Sequence, residues 1–159
     1  MVLKMIPKLQ SDLKQAQLDR AEVSVSTLRM LISEINNAKI AKGEDLTDQD
    51  IILVVQRESK KRKESIEAFR RGGREESARK EELELKILVS YLPTQLSDEE
   101  LTSVVEEAIT ELEAKGLIAK VGAASLTDMG KVIGMVMSKA VGQADGGRVS
   151  SLVKIRLSR

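Results

Sequence analysis

Apolar residues recur at steps of three and four along most of the chain, the period of a helix with one buried face. The first predicted helix covers residues 6–18, with Ile6, Leu9, Leu13, Ala16 and Leu18 on one side. A second covers 21–41, where Val25, Leu28, Leu31, Ile32, Ile35 and Ala38 form a stripe and Gly43 supplies a stop. Thr47 is placed to cap a third helix, with Asp50 completing a variant of the capping box. Its stripe reads Ile52, Val55, Ser59, Arg62, Ile66 and Phe69, so the middle is polar, and Gly72-Gly73 ends it. The fourth helix covers 75–91, with Leu85, Leu88, Val89 and Leu92 on its apolar side, and Pro93 stops it by disfavouring helical geometry in the residue before.

Leu92-Pro93-Thr94-Gln95-Leu96 marks a domain boundary. Ser97-Asp98-Glu99-Glu100 is a capping box for a fifth helix, whose apolar face is Leu101, Val104, Val105, Ala108, Ile109 and Leu112. A Gly/Ala/Ser-rich linker at 121–125 precedes a sixth helix starting near Thr127, packed by Met129, Val132, Ile133, Val136 and Met137. Asp145 caps a seventh, carrying Val149, Leu152, Val153 and either Arg156 or Leu157. The expected fold is all-α. A helical bundle of about four helices over 1–92 is followed by a smaller bundle of about three over 93–159, a size at which a core is marginal by itself.

Composition narrows the chemistry. The 159 residues contain no Cys, His or Trp, which removes disulfides, thiolate nucleophiles, ordinary zinc sites and Ser–His or Cys–His pairs. No cofactor and no metal are expected. The longest strongly apolar stretches are five residues, such as 51–55, against the roughly 20 that a membrane span needs. The opening Met1-Val2-Leu3-Lys4-Met5-Ile6-Pro7 lacks a signal-peptide core. A cytoplasmic location with no membrane partner is the resulting expectation.

Net charge is +1, but the average conceals blocks. Residues 57–74 hold eight basic and three acidic side chains, net +5, and 120–159 hold seven and two, also +5. Residues 97–119 hold seven acids and one base, net −6, and 75–84 five acids and two bases, net −3. Clustered cations neutralise phosphates and release counterions, which makes Lys60, Arg62, Lys63 and Arg74 candidates for RNA contact. The competing reading is a solvated helix face, with Glu58–Arg62 and Lys60–Glu64 pairing four residues apart. Arg62 has three readings: a snorkelling stem, a partner for a carboxylate of the first two helices such as Glu34, or a phosphate ligand in a cleft.

The stretch Asp128-Met129-Gly130-Lys131-Val132-Ile133-Gly134 places two glycines four apart within a helix, at a cost of up to about 1 kcal/mol each relative to alanine. A close helix–helix crossing explains them, and so does close approach of an RNA backbone or partner protein beside Lys131 and Lys139. Met129, Met135 and Met137 read as gap-fillers in a small core. Arg148 and Lys154 complete the RNA-contact candidates, Arg148 from the first turn of a helix whose N-terminal amides can receive a phosphate.

These residues carry a resemblance. Arg29-Met30-Leu31, the run 57–69, Gly73-Arg74, Tyr91-Leu92-Pro93-Thr94-Gln95-Leu96-Ser97, Asp128-Met129-Gly130-Lys131-Val132-Ile133-Gly134 and Ala144-Asp145-Gly146 follow in the order found in GatB/YqeY-like proteins. The chain resembles that family over nearly its whole length. The resemblance implies two helical bundles, similar to the tail of the B subunit of tRNA-dependent amidotransferases, which amidate Glu-tRNA or Asp-tRNA. That tail contacts tRNA and is not the catalytic part. One departure is Gln143, where the family pattern usually carries arginine. The resemblance thus implies a non-catalytic tRNA- or RNA-binding module. The alternatives are an adaptor for an amidotransferase or aminoacyl-tRNA synthetase subunit and, third, a carbon–nitrogen ligase using glutamine as amide donor.

Overall fold

Helices account for all regular structure in a computed structural model that describes residues 4–119 and 126–158. They are α1 (Met5–Leu18), α2 (Glu22–Lys42), α3 (Asp48–Arg71), α4 (Glu75–Val89), α5 (Asp98–Ala114), α6 (Leu126–Lys139) and α7 (Gly146–Leu157). The fold is all-α, and the predicted linker at 121–125 lies outside the described residues. Two compact units divide the chain, Met1–Leu92 and Pro93–Arg159.

In the first unit, capping chemistry sets the helix ends. Thr47 Oγ1 accepts from the Asp50 amide, and the Asp50 carboxylate accepts from the Thr47 amide at 2.8 Å. Asp48, in the first turn of α3, also accepts from the Lys4 and Met5 amides at 3.2 Å, so it caps α1 as well. At the end of α3, the Arg74 amide reaches the Phe69 carbonyl at 2.8 Å and Gly73 adopts φ +69°. This is a Schellman stop, and the Arg74 guanidinium lies over the Phe69 ring as its side-chain contact. The same stop closes α1 with Arg20 at φ 55°, in a region where glycine is the usual occupant.

The core of this unit gathers Leu9, Leu28, Leu31, Ile35, Ile51, Val54, Val55 and Leu88 from all four helices, with Leu46 from the α2–α3 loop. Three predicted core positions are corrected. Leu18 is 69% exposed at the end of α1, Val89 is exposed at the end of α4, and Ile52 is only half-buried. On α3 the buried face keeps Val55, Ser59 and Ile66 of the predicted stripe and adds Ile51, Val54 and Glu58, while Arg62 and Phe69 are half-buried.

In the second unit, α5 supplies the deepest face. Leu101, Val105, Ala108, Ile109 and Leu112 pack with Val132 and Val136 of α6 and Val149, Val153 and Leu157 of α7. Leu157 therefore takes the core position left open between it and Arg156. Met129, Met135 and Met137 are partly buried against this cluster, as gap-filling requires. Ser97 and Glu100 form the capping box of α5. The segment before it is pinned within the unit: the Leu96 amide donates to the Gln143 carbonyl at 2.8 Å, and Gln95 Nε2 donates to the Gly142 carbonyl at 2.6 Å.

Candidate nucleic-acid interface

Each candidate cation has a definite setting. On α3, Lys60 is exposed and forms no ion pair among the described residues, while Lys63 is exposed but partnered. Arg62 is committed inward. Its Nε donates to Glu84 at 2.8 Å and lies 3.4 Å from Glu81, and the Met30 sulfur rests against its guanidinium. The partner is thus a carboxylate of α4. Glu34, the partner considered from the sequence, lies 3.9 Å from Arg57 instead. The predicted Glu58–Arg62 and Lys60–Glu64 pairs do not form. Glu58, 2% exposed, accepts from Lys61 at 2.6 Å, and Arg57 lies 3.9 Å away. Arg74 is exposed at the α3–α4 turn, with its guanidinium 4.8 Å from the centre of the Phe69 ring.

A buried carboxylate in α3 was not visible in the helical period, because Glu58 looks like one more charge in a charged run. Among the described residues, three buried side-chain atoms have no hydrogen-bond partner: Thr27 Oγ1, Ser59 Oγ and Glu81 Oε2.

The second unit places its candidates on α6 and α7. Lys131 Nζ donates to the Leu117 carbonyl at 2.7 Å and lies 3.9 Å from Asp128. Lys139 pairs with Glu111 of α5 at 3.0 Å. Arg148 donates to Asp98 at 2.6 Å and to the Leu96 carbonyl at 3.0 Å. Lys154 is exposed with no ion pair among the described residues. The α7 N-terminus is no open anion site, because Asp145 Oδ1 already accepts from the Gly147 and Arg148 amides. A Cβ at position 147 would stand 2.9 Å from that oxygen, so a larger residue there would push the Asp145 carboxylate off the cap. Gln143 contributes its backbone carbonyl to Leu96.

Gly130 and Gly134 are exposed, and a Cβ built on either meets nothing within 4 Å. Among the described residues no helix crosses close to them, so the described structure gives the internal-crossing explanation no support. Thr127, Gly130, Lys131, Gly134 and Ser138 are all exposed, and their spacing makes one bare outer face of α6.

Hydrogen bonding tunes the surrounding acids. The Lys115 and Lys139 ammonium groups hold the Glu111 carboxyl down at about 2. The α5 surface beside Lys139 is a shallow cavity of about 600 Å³ lined by Ser103, Glu106, Glu107, Thr110 and Glu111. No helix among the described residues is long and apolar enough to cross a membrane.

Comparison with known proteins places this architecture. Residues 6–157 match the family model described as Yqey-like protein. The chain is 32% identical over 142 residues to the protein named Altered inheritance of mitochondria protein 41, mitochondrial, of Pyrenophora tritici-repentis, covering 87% of this chain and 72% of that one. It is 36% identical over 97 residues to an uncharacterized protein of Schizosaccharomyces pombe, covering 58% of this chain and 79% of that one. A Vanderwaltozyma polyspora protein, also named Altered inheritance of mitochondria protein 41, mitochondrial, is 33% identical over 115 residues, covering 70% of this chain and 62% of its own length. These names overturn the cytoplasmic expectation, because they assign the relatives to mitochondria. The chain belongs to the YqeY-like family.

Proposed function

We propose that this chain is a non-catalytic RNA-binding module directed at tRNA, related in role to the tail of tRNA-dependent amidotransferases. The observation that carries the reading is the bare outer face of α6. Two glycines in a helix interior together cost the fold up to about 2 kcal/mol relative to alanine. No described residue comes within 4 Å of a Cβ built on either, so packing among the described residues does not require them. An external backbone that must come close to the helix does. Lys131 sits between the two glycines in sequence and can turn its ammonium from the Leu117 carbonyl to a phosphate. Lys154 and Lys139 on the same unit extend the phosphate contacts, and Lys60, Lys63 and Arg74 are separate phosphate candidates on the first unit. Arg62 is left out, because leaving Glu84 and Glu81 would strand two half-buried carboxylates.

The test is binding of purified chain to tRNA, with Lys131→Glu as the paired variant. Weaker binding by Lys131→Glu, with the wild-type melting curve, supports the reading. Equal binding by both removes Lys131 from the interface.

A second reading, a protein adaptor for an amidotransferase or synthetase subunit, is favoured by the acidic cavity on α5, which suits a basic protein segment. A defined subunit that binds after nuclease treatment, and loses affinity with Glu107→Lys, would support that reading over RNA.

A further inference from the structure

Three cations of α6 and α7 are matched by carboxylates of a single helix. Lys139 lies 3.0 Å from Glu111, Arg148 lies 2.6 Å from Asp98, and Arg156 pairs with Glu106. All three acids belong to α5. Every side chain in these pairs is at least 36% exposed, so each pair is open to solvent and to an incoming anion. A phosphate oxygen accepts the same N–H groups and carries the same sign of charge. Water screens such exposed pairs, and their partners exchange at little cost. Glu99 and Glu107, also on α5, make no ion pair among the described residues.

Resting on the RNA reading above, we propose that Asp98, Glu106 and Glu111 are internal counter-ions that occupy the cationic groups an RNA phosphate would take. Binding is then an exchange of carboxylate for phosphate. A lone phosphate that displaces one carboxylate gains little over what it breaks. A folded RNA that presents several phosphates at once displaces several carboxylates in one event, so the device selects for dense phosphate arrays over free nucleotides. It also explains how a basic helix pair and an acidic helix coexist in one small unit: the acid lowers affinity and thereby raises selectivity.

Two full-length double variants with the same change in net charge test this. Glu106→Gln with Glu111→Gln removes two paired carboxylates, and Glu99→Gln with Glu107→Gln removes two unpaired ones. Binding to unfractionated tRNA is measured by fluorescence anisotropy at fixed salt, with thermal melting to check the fold. The first variant is expected to bind about three- to tenfold tighter than wild type, and the second within about twofold. Equal tightening by both variants overturns the proposal, since net charge alone then suffices. No change in either also overturns it. If the first variant melts before binding can be read, Asp98→Asn, which frees Arg148, takes its place with Glu99→Gln alone as control and the same criteria. Failure of wild type and every variant to bind at low salt removes the RNA reading itself, and this proposal with it.

Discussion

Tyr91 donates its phenolic hydroxyl to the Asp12 carboxylate at 2.6 Å, tying the segment after α4 to α1 across 79 positions of sequence. Lys8 completes the group: it pairs with Asp12 at 2.8 Å and lies 5.0 Å over the Tyr91 ring. Hydrogen bonds from Lys8 and then Tyr91 hold the Asp12 carboxyl below its ordinary range, and burial raises the Tyr91 hydroxyl far above its own. Tyr91→Phe keeps the ring and removes the bond. It should destabilise the first unit by about 1 to 2 kcal/mol, as a hydrogen bond to a charged group does. Denaturant unfolding checks this, and an unchanged midpoint would contradict it.

Gly130→Ala and Gly134→Ala should separate stability from binding. Both positions have room for a methyl group, so each change should stabilise α6, by up to about 1 kcal/mol. The same change should weaken tRNA binding, because the methyl groups stand where the external backbone approaches. Thermal melting and anisotropy on the double variant read the two effects. A variant that melts higher and binds as wild type does would remove the α6 face from the interface.

Acid should weaken the α3 cap and the α5 pairs over a defined range, although their carboxyls resist protonation. Asp50 is held at about 2, from 3.8, by Lys42 and by the Thr47 amide and hydroxyl, and Glu111 at about 2, from 4.5, by Lys115 and Lys139. Both folded values are depressed, so the stability they contribute is fully present above the unfolded values. It is lost as pH falls from about 4.5 toward about 2. Carboxyl titration followed by NMR should place Asp50 and Glu111 at about 2, well below their ordinary values of 3.8 and 4.5. Thr47→Ala should cost about 1 kcal/mol at neutral pH and leave Asp50 titrating nearer its ordinary value.

Arg62→Met should be among the costliest single changes in the first unit. It leaves Glu84 and Glu81 without the guanidinium that both face from α3, while methionine keeps the packing volume. The pair retains some contact with water, so the expected loss is about 2 kcal/mol, short of the full cost of a stranded buried charge. Adding Glu84→Gln and Glu81→Gln to the variant should return part of it. Denaturant midpoints of the single and triple variants measure both, and a single variant as stable as wild type would contradict the assignment.

Much of the fold was legible because helix ends are written in local chemistry. Thr47, Ser97 and Asp145 cap α3, α5 and α7 with their own side chains, and the apolar steps of α5 match its buried face. What stayed hidden depends on partners distant in sequence. Arg62 chose α4 over α2, and Glu58 vanished into the interior of a run that reads as surface. Arg20 closes α1 in a conformation that no sequence rule assigns to arginine. At the candidate site, periodicity put the two glycines on one face, but only the surrounding space showed that face to be bare among the described residues. The pairing of α6 and α7 cations with α5 was likewise invisible, since charge blocks say how much charge there is and not which groups meet.

The most direct test of the central claim is the affinity of the purified chain for unfractionated tRNA across a salt series from about 50 to 300 mM. Phosphate contacts release counterions, so log affinity should fall linearly with log salt, with a slope of about −0.7 to −0.9 for each contact made. A slope of several units, reduced by about one in Lys131→Glu, is the predicted result. No binding at the lowest salt, or an affinity indifferent to salt, would contradict it.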